Sequence, residues 1–142
     1  MPDSNTLTQK LVWRDDMSVG VEEIDDQHKT IFGIINKLID NSGALVSSEI
    51  IDEVLYELRE YAKNHFALEE KYMTDFSYAE REAHAKQHWE FSAKVAFFCF
   101  DVQDHKMDTP EEIFAYLHDW WYSHILDEDM KYVETFKAHG LS

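Results

Sequence analysis

Residues 51–76 carry the pattern that most restricts what this chain can become. Ile51, Leu55, Leu58, Ala62, His65, Glu69, Tyr72 and Phe76 recur in alternating steps of four and three. That is one face of a helix about seven turns long, since 3.6 residues complete a turn. The face is apolar except where an imidazole and a carboxylate stand in line with the leucines. A fold that buries this stripe has to buy partners for both groups.

Three further stretches repeat the pattern. A helix is expected over about 22–40, with Ile24, Ile31, Ile35 and Leu38 on its stripe, His28 among them, and Gly43 as its C-terminal stop. The long helix starts at Ser47 or Ser48, either a fair N-cap, and breaks at Ser77-Tyr78. A third helix over about 79–103 aligns His84, His88, Phe91, Val95, Phe98 and Val102. After a loop at 104–109, Thr109 fits an N-cap, Pro110 the first helical position, and Glu111 and Glu112 the positive end of a helix dipole. The last stripe is Ile113, Leu117, Trp120 and His124.

Only 4 Gly and 2 Pro interrupt 142 residues. Four amphipathic helices on short connections predict an all-α fold, an up-down-up-down antiparallel four-helix bundle with an irregular N-terminal arm. One domain is expected to span 1–142. Its arm covers 1–20, anchored by Leu11, Val12, Trp13 and Val19-Gly20-Val21 and packed across the outside; bundle and C-terminal extension cover 22–137.

A net charge of −16 argues against nucleic acid, anionic membrane surfaces and phosphate-rich substrates. Cys99 is the only cysteine, so no intramolecular disulfide can form; amid Val95-Ala96-Phe97-Phe98 and Phe100 it reads as a small core residue. No apolar run approaches the roughly 18 residues of a membrane span, and the first residues lack a basic and an apolar signal region. The expectation is a cytoplasmic protein with no membrane partner.

Every stripe is thus interrupted by groups that resist burial: His28, His65 with Glu69, His84 with His88, and His124 with an acid close by. One histidine on an apolar face is ordinarily a hydrogen-bonded core residue, and an i,i+4 histidine pair occurs on ordinary surfaces. Five imidazoles and two carboxylates converging in one core are different, because unpaired burial costs several kcal/mol per group. A metal centre resolves the conflict, and the set is too large for one tetrahedral zinc. Two metals sharing carboxylates fit it. No Glu-x-x-His motif of the ferritin-like di-iron kind occurs, so the shell is histidine-rich and suits reversible O2 binding better than strongly oxidising chemistry. Which acid accompanies His124 is open on spacing alone. Glu128 lies four residues on, on the same face, whereas Asp129 is rotated about 140° away.

Four ordered motifs carry a family resemblance: Val19-Gly20-Val21-Glu22-Glu23-Ile24-Asp25-Asp26-Gln27-His28, His65-Phe66-Ala67-Leu68-Glu69-Glu70, His84-Ala85-Lys86-Gln87-His88 and His124-Ile125-Leu126-Asp127-Glu128-Asp129. With Trp13-Arg14-Asp15-Asp16 before them, they extend nearly the whole chain, to Tyr132. The chain resembles the hemerythrins, and specifically the single-domain bacteriohemerythrins. The resemblance implies two non-haem iron ions bridged by hydroxide or oxide and binding O2 reversibly, in a protein that is not an enzyme. His84, His88 and His124 would hold one, coordinatively full iron. His28 and His65 would hold the other, with one position open, and Glu69 and Asp129 would bridge them. Choosing Asp129 over Glu128 requires the helix to distort between His124 and the acid, by a π-type turn or an early end.

The same resemblance makes Ile31, Phe66, Phe91, Trp120, Trp121 and Ile125 the lining of the O2 pocket; plain bundle core is the alternative reading of each. Trp121 departs from the family, which usually has leucine immediately after the tryptophan matching Trp120. The role implied is O2 storage, transport or delivery to an O2-consuming oxygenase or redox partner. Competing readings are an O2, redox or iron sensor acting with a partner in trans, and a weak di-iron oxidase or nitric oxide scavenger. His118-Asp119 brings in a more distant one, an HD-type metal phosphohydrolase. Against it, His118 lies off its stripe and basic residues for a phosphate are lacking. His105 and His139 are expected to face solvent.

Overall fold

A computed structural model describes residues 9–40, 42–103 and 110–142, with backbone alone over 101–103. Helix α1 spans Glu22–Asn36, α2 Ser48–Asp75, α3 Arg81–Gln103 and α4 Pro110–Ser123. Beyond α4 the chain widens into a π turn at His124–Glu128, tightens into a 3-10 turn at Asp129–Tyr132, and ends in α5, Val133–Ala138. The four long helices form the antiparallel bundle that the stripes predict, α1 against α2, α2 against α3, and α1 against α4. Thr109 and His105 lie outside the described residues.

The helix ends show the local physics. Helix α2 closes in a Schellman motif: the Tyr78 amide donates to the Met73 carbonyl (2.8 Å) and the Ser77 amide to Thr74 (3.1 Å). Ser77 supplies the left-handed residue at φ 54°. Tyr78 and Met73 then bury together in the cluster beneath. Helix α5 ends in the same way, but with Gly140 at φ 79°. Helix α1 stops four residues earlier than expected, and Gly43 is not its stop. Leu38 and Ile39 continue as 3-10 hydrogen bonds, and Ile39 pairs with Leu45 across a turn in which Gly43 takes φ 82°. The Asp40 carboxylate accepts from the Ser42 amide and hydroxyl and the Ala44 amide, and those bonds lower its pKa.

The described part of the arm, residues 9–20, lies along the bundle. Asn36 clamps Leu11 through both backbone groups, at 2.7 and 2.9 Å, and the Val12 amide donates to the Tyr122 hydroxyl. Leu11, Val19 and Val21 are buried as anchors, together with Met17, but Val12 is 62% exposed because strand-like alternation points it away. Cys99 is half-buried at the margin of the core rather than inside it, and burial raises its thiol pKa.

Two apolar clusters fill the bundle. The larger runs from Leu11 and Ile31 through Leu55, Leu58, Phe91 and Val95 to Leu117 and Trp121. The smaller joins Val19, Val21, Ile24, Met73, Tyr78, Tyr132 and Phe136. Between the positions these clusters take from each helix, the sequence places the histidines and the two buried acids. A polar layer therefore divides the core.

Candidate metal centre

His28, His65, Glu69, His84, His88, His124 and Asp129 converge, each no more than 3% exposed. Their donor atoms fall into two groups. Glu69, His84, His88, His124 and Asp129 form one, His28, His65 and Glu69 the other, with the atoms of each within 4.8 Å of one another. Glu69 divides its oxygens between them. Oε2 lies 3.4 Å from His65 and 3.5 Å from His28, while Oε1 lies 3.2 Å from His88 and 3.8 Å from His84. Asp129 does likewise, with Oδ2 at 3.2 Å from His28 and Oδ1 at 3.0 Å from His84 and 3.2 Å from His124. In every one of these contacts the imidazole presents Nε2.

The backbone explains how Asp129 gets there. On a regular helix a residue five past His124 points elsewhere. The π turn over His124–Glu128 adds one residue to that turn and swings Asp129 back onto the histidine face. Glu128 is left at the rim, pairing with Lys131 at 3.3 Å. The distortion required for Asp129 is present.

Outer groups hold three rings in place. Nδ1 of His65 bonds Gln27 Oε1 at 2.7 Å, Nδ1 of His88 bonds Glu70 Oε2 at 2.8 Å, and Nδ1 of His124 bonds Gln87 Oε1 at 3.0 Å. Each acceptor keeps its hydrogen on Nδ1, which leaves the Nε2 lone pair facing inward. The Tyr132 hydroxyl donates to Glu69 Oε2 at 2.7 Å. Burial and the two neighbouring carboxylates raise its pKa well above the ordinary phenol value, so it stays a donor. Tyr132 was not singled out from the sequence, although Ile125, Asp129, Tyr132 and Phe136 continue the four-three spacing beyond the distortion.

Among the described residues, nine buried side-chain polar atoms lack a hydrogen-bond partner, and seven belong to His28, His65, Glu69, His84 and Asp129. Nε2 of His88 and of His124 also face each other at 3.2 Å, two lone pairs with nothing between them unless a proton intervenes. Such a set is costly without a cation and complete with one. Imidazole nitrogen and carboxylate oxygen suit iron, manganese or zinc. Metal-free, protons take the cation's place. At His28 burial works against the charged ring, yet hydrogen bonding and attraction from Asp129 and Glu69 raise its pKa to about 9. At His88 the same opposition resolves the same way, through Glu69 and Glu70, again to about 9. Burial dominates at His65 and lowers it. Glu69 and Asp129 are held below the ordinary carboxylate range by the surrounding imidazoles, despite burial.

Aromatic rings enclose the layer on one side. Phe66 stacks on His88 (centroids 3.9 Å apart) and Trp120 on His124 (4.3 Å). Trp121 is fully buried, 6.2 Å from His28 and 6.0 Å from His65, and stacked on Phe66. Ile31, Phe91 and Ile125 are buried alongside. Trp120 is only partly so, which corrects the stripe: α4 buries Ile113, Phe114, Leu117 and Trp121. Trp120 lines an open cleft with Gln87, Tyr116, Asp119, Ser123 and Glu128. The indole Nε1 of Trp121 is one of the two remaining unpartnered buried atoms. His118 stays outside both donor groups, paired with Asp119 at 3.1 Å and edge-on to Tyr122. His139 is exposed and stacks on Phe76.

Known proteins resemble this chain in sequence and fold. The model of the hemerythrin HHE cation-binding domain matches residues 19–136. A bacteriohemerythrin of Pseudomonas aeruginosa is 36% identical over 132 residues, 93% of this chain and 84% of that one. One from Clostridium acetobutylicum is 32% identical over 127 residues, covering 87% and 98%. A crystal structure of wild-type hemerythrin superimposes with a TM-score of 0.80 at 27% identity, covering 89% of this chain and 98% of that one. No described helix is long and apolar enough to cross a membrane. On sequence, fold and the buried histidine–carboxylate layer together, the chain belongs to the hemerythrin family.

Proposed function

We propose that this chain is a reversible O2 binder, a carrier rather than an enzyme, working in the cytoplasm as a single domain that includes its N-terminal arm. His84, His88 and His124 would hold one iron and His28 and His65 the second, with Glu69 and Asp129 shared between them. The iron pair would supply reversible O2 uptake. The observation that carries the reading is the division of each carboxylate, one oxygen toward each histidine group. Trp121 packs against both rings of the group with fewer histidines, His28 and His65, while Phe66 stacks on His88 of the other group.

The side chains do the rest of the work. Gln27, Glu70 and Gln87 orient the rings, Tyr132 holds Glu69, and Phe66, Phe91, Trp121 and Ile125 keep water from the pocket. A dry, closed pocket favours release of O2 as O2 and protects the metals from oxidation. Physiologically the protein stores O2 or delivers it to an O2-consuming oxygenase or redox partner. The decisive experiment is iron analysis with spectra of the reduced protein before and after air. Two irons per chain and a visible charge-transfer band that fades under argon are expected. One zinc and no colour would sink the proposal, and a band that never reverses would favour the oxidase reading.

A further inference from the structure

Helix α3 has a second apolar face that the bundle does not use. Its inward side buries His84, His88, Phe91, Val95 and Phe98. Trp89, Ala93, Phe97 and Phe100 follow at steps of four, four and three on the opposite side. Trp89 is 71% exposed, Phe97 55% and Phe100 67%, three of the six large apolar side chains most exposed among the described residues. Lone exposed apolar residues are unremarkable, but three aromatics in one helical line form a patch that calls for a partner.

Charge selects the partner. The chain carries −16, yet residues 81–103 hold Arg81, Lys86 and Lys94 against Glu82, Glu90 and Asp101. The helix is neutral, so the excess acid lies elsewhere. Two copies meeting through most other faces bring acid against acid; meeting along α3 they avoid it. The overall negative field also disfavours an anionic membrane or nucleic acid at this patch.

We propose that α3 is the twofold interface of a homodimer, two α3 helices crossing antiparallel near Ala93. The small side chain at the crossing lets the backbones approach, and a twofold axis there sets Trp89 of one copy against Phe97 of the second. Glu90 and Lys94, on one edge of the stripe, lie within side-chain reach of their opposites across the axis. Trp89 to Phe100 spans about 17 Å along the helix, enough for an interface of modest size.

Sedimentation velocity of the iron-loaded chain over a concentration series tests it. A monomer–dimer equilibrium is expected, with Phe97→Glu weakening association at least tenfold while iron content and helicity stay unchanged. Val12→Glu, on the exposed arm, leaves the equilibrium as it was. In a Cys99→Ser background, Ala93→Cys oxidises to a covalent dimer. A wild-type chain that stays monomeric throughout overturns the proposal, as does a dimer that survives Phe97→Glu or an Ala93→Cys chain that does not cross-link.

Discussion

At the scale of single residues, the buried layer is a balance of orphaned groups, and Trp121 is its most individual member. The family usually has leucine there, whereas this chain packs an indole against Phe66, His28 and His65 with no exposure at all. On the proposed reading, an indole packed against His28 and His65 is expected to slow exchange of both O2 and water. Trp121→Leu is expected to speed O2 release and autoxidation several-fold by stopped-flow; unchanged rates would remove the idea. Tyr132→Phe deletes the single hydroxyl held by Glu69 Oε2. A buried acceptor stripped of its donor costs about 1–3 kcal/mol, so the metal-free protein should unfold at correspondingly lower urea. Six of the seven candidate ligands were legible because polar residues on an apolar stripe are conspicuous; Asp129, off the stripe, was chosen on the family resemblance alone. Tyr132, Gln27 and Gln87 were not, since nothing local says that a tyrosine on a terminal turn reaches a glutamate sixty-three residues away.

At the scale of elements, two irregular turns decide where side chains go. The π turn puts Asp129 in the layer and leaves Glu128 on Lys131. Asp129→Ala should therefore lower bound iron below two per chain, while Glu128→Ala keeps the full complement; metal analysis of the two proteins distinguishes them. The Schellman turn after α2 uses Ser77 where the matching turn after α5 uses Gly140. A non-glycine residue at positive φ is strained, and Ser77 is exposed. Ser77→Gly is expected to stabilise the chain by about 0.5–1 kcal/mol in denaturant melts, and a loss of stability would contradict the strain argument. Helix existence was readable from periodicity, but phase was not. A helical stripe is wide enough to admit both Trp120 and Trp121, and packing against Phe66 chose the second. Gly43 looked like a stop for α1 because its left-handed turn is shared by helix ends and by the bridge-closed loop it occupies.

At the scale of the whole molecule, metal, protons and folding are linked. The raised pKa values of His28 and His88, about 9 against an ordinary 6.5, mean that the metal-free fold binds these protons more tightly than the unfolded chain does. Their stabilisation is complete below pH 6.5 and disappears as pH rises through 9. Glu69 and Asp129, held low, contribute above the ordinary carboxylate range and fail as pH falls through their depressed values. Urea midpoints of the metal-free protein should therefore be highest at mildly acidic pH and decline toward pH 9. Iron removes this decline, because the cation replaces the protons. Loading near pH 7.5 should release at least two protons per chain, those of His28 and His88, measurable in a pH-stat, and an absence of proton release would contradict the linkage.

Periodicity by itself determined four helices, the approximate face of each and six of the seven polar residues buried between them, because a 3.6-residue repeat and the cost of burying charge act locally. Tertiary structure alone decided how each carboxylate divides its oxygens, which tryptophan enters the core, which groups hold the imidazoles, and that the outer aromatics of α3 stay exposed. Those outcomes depend on where other helices stand, and a sequence pattern states which side a residue faces without stating what it meets there.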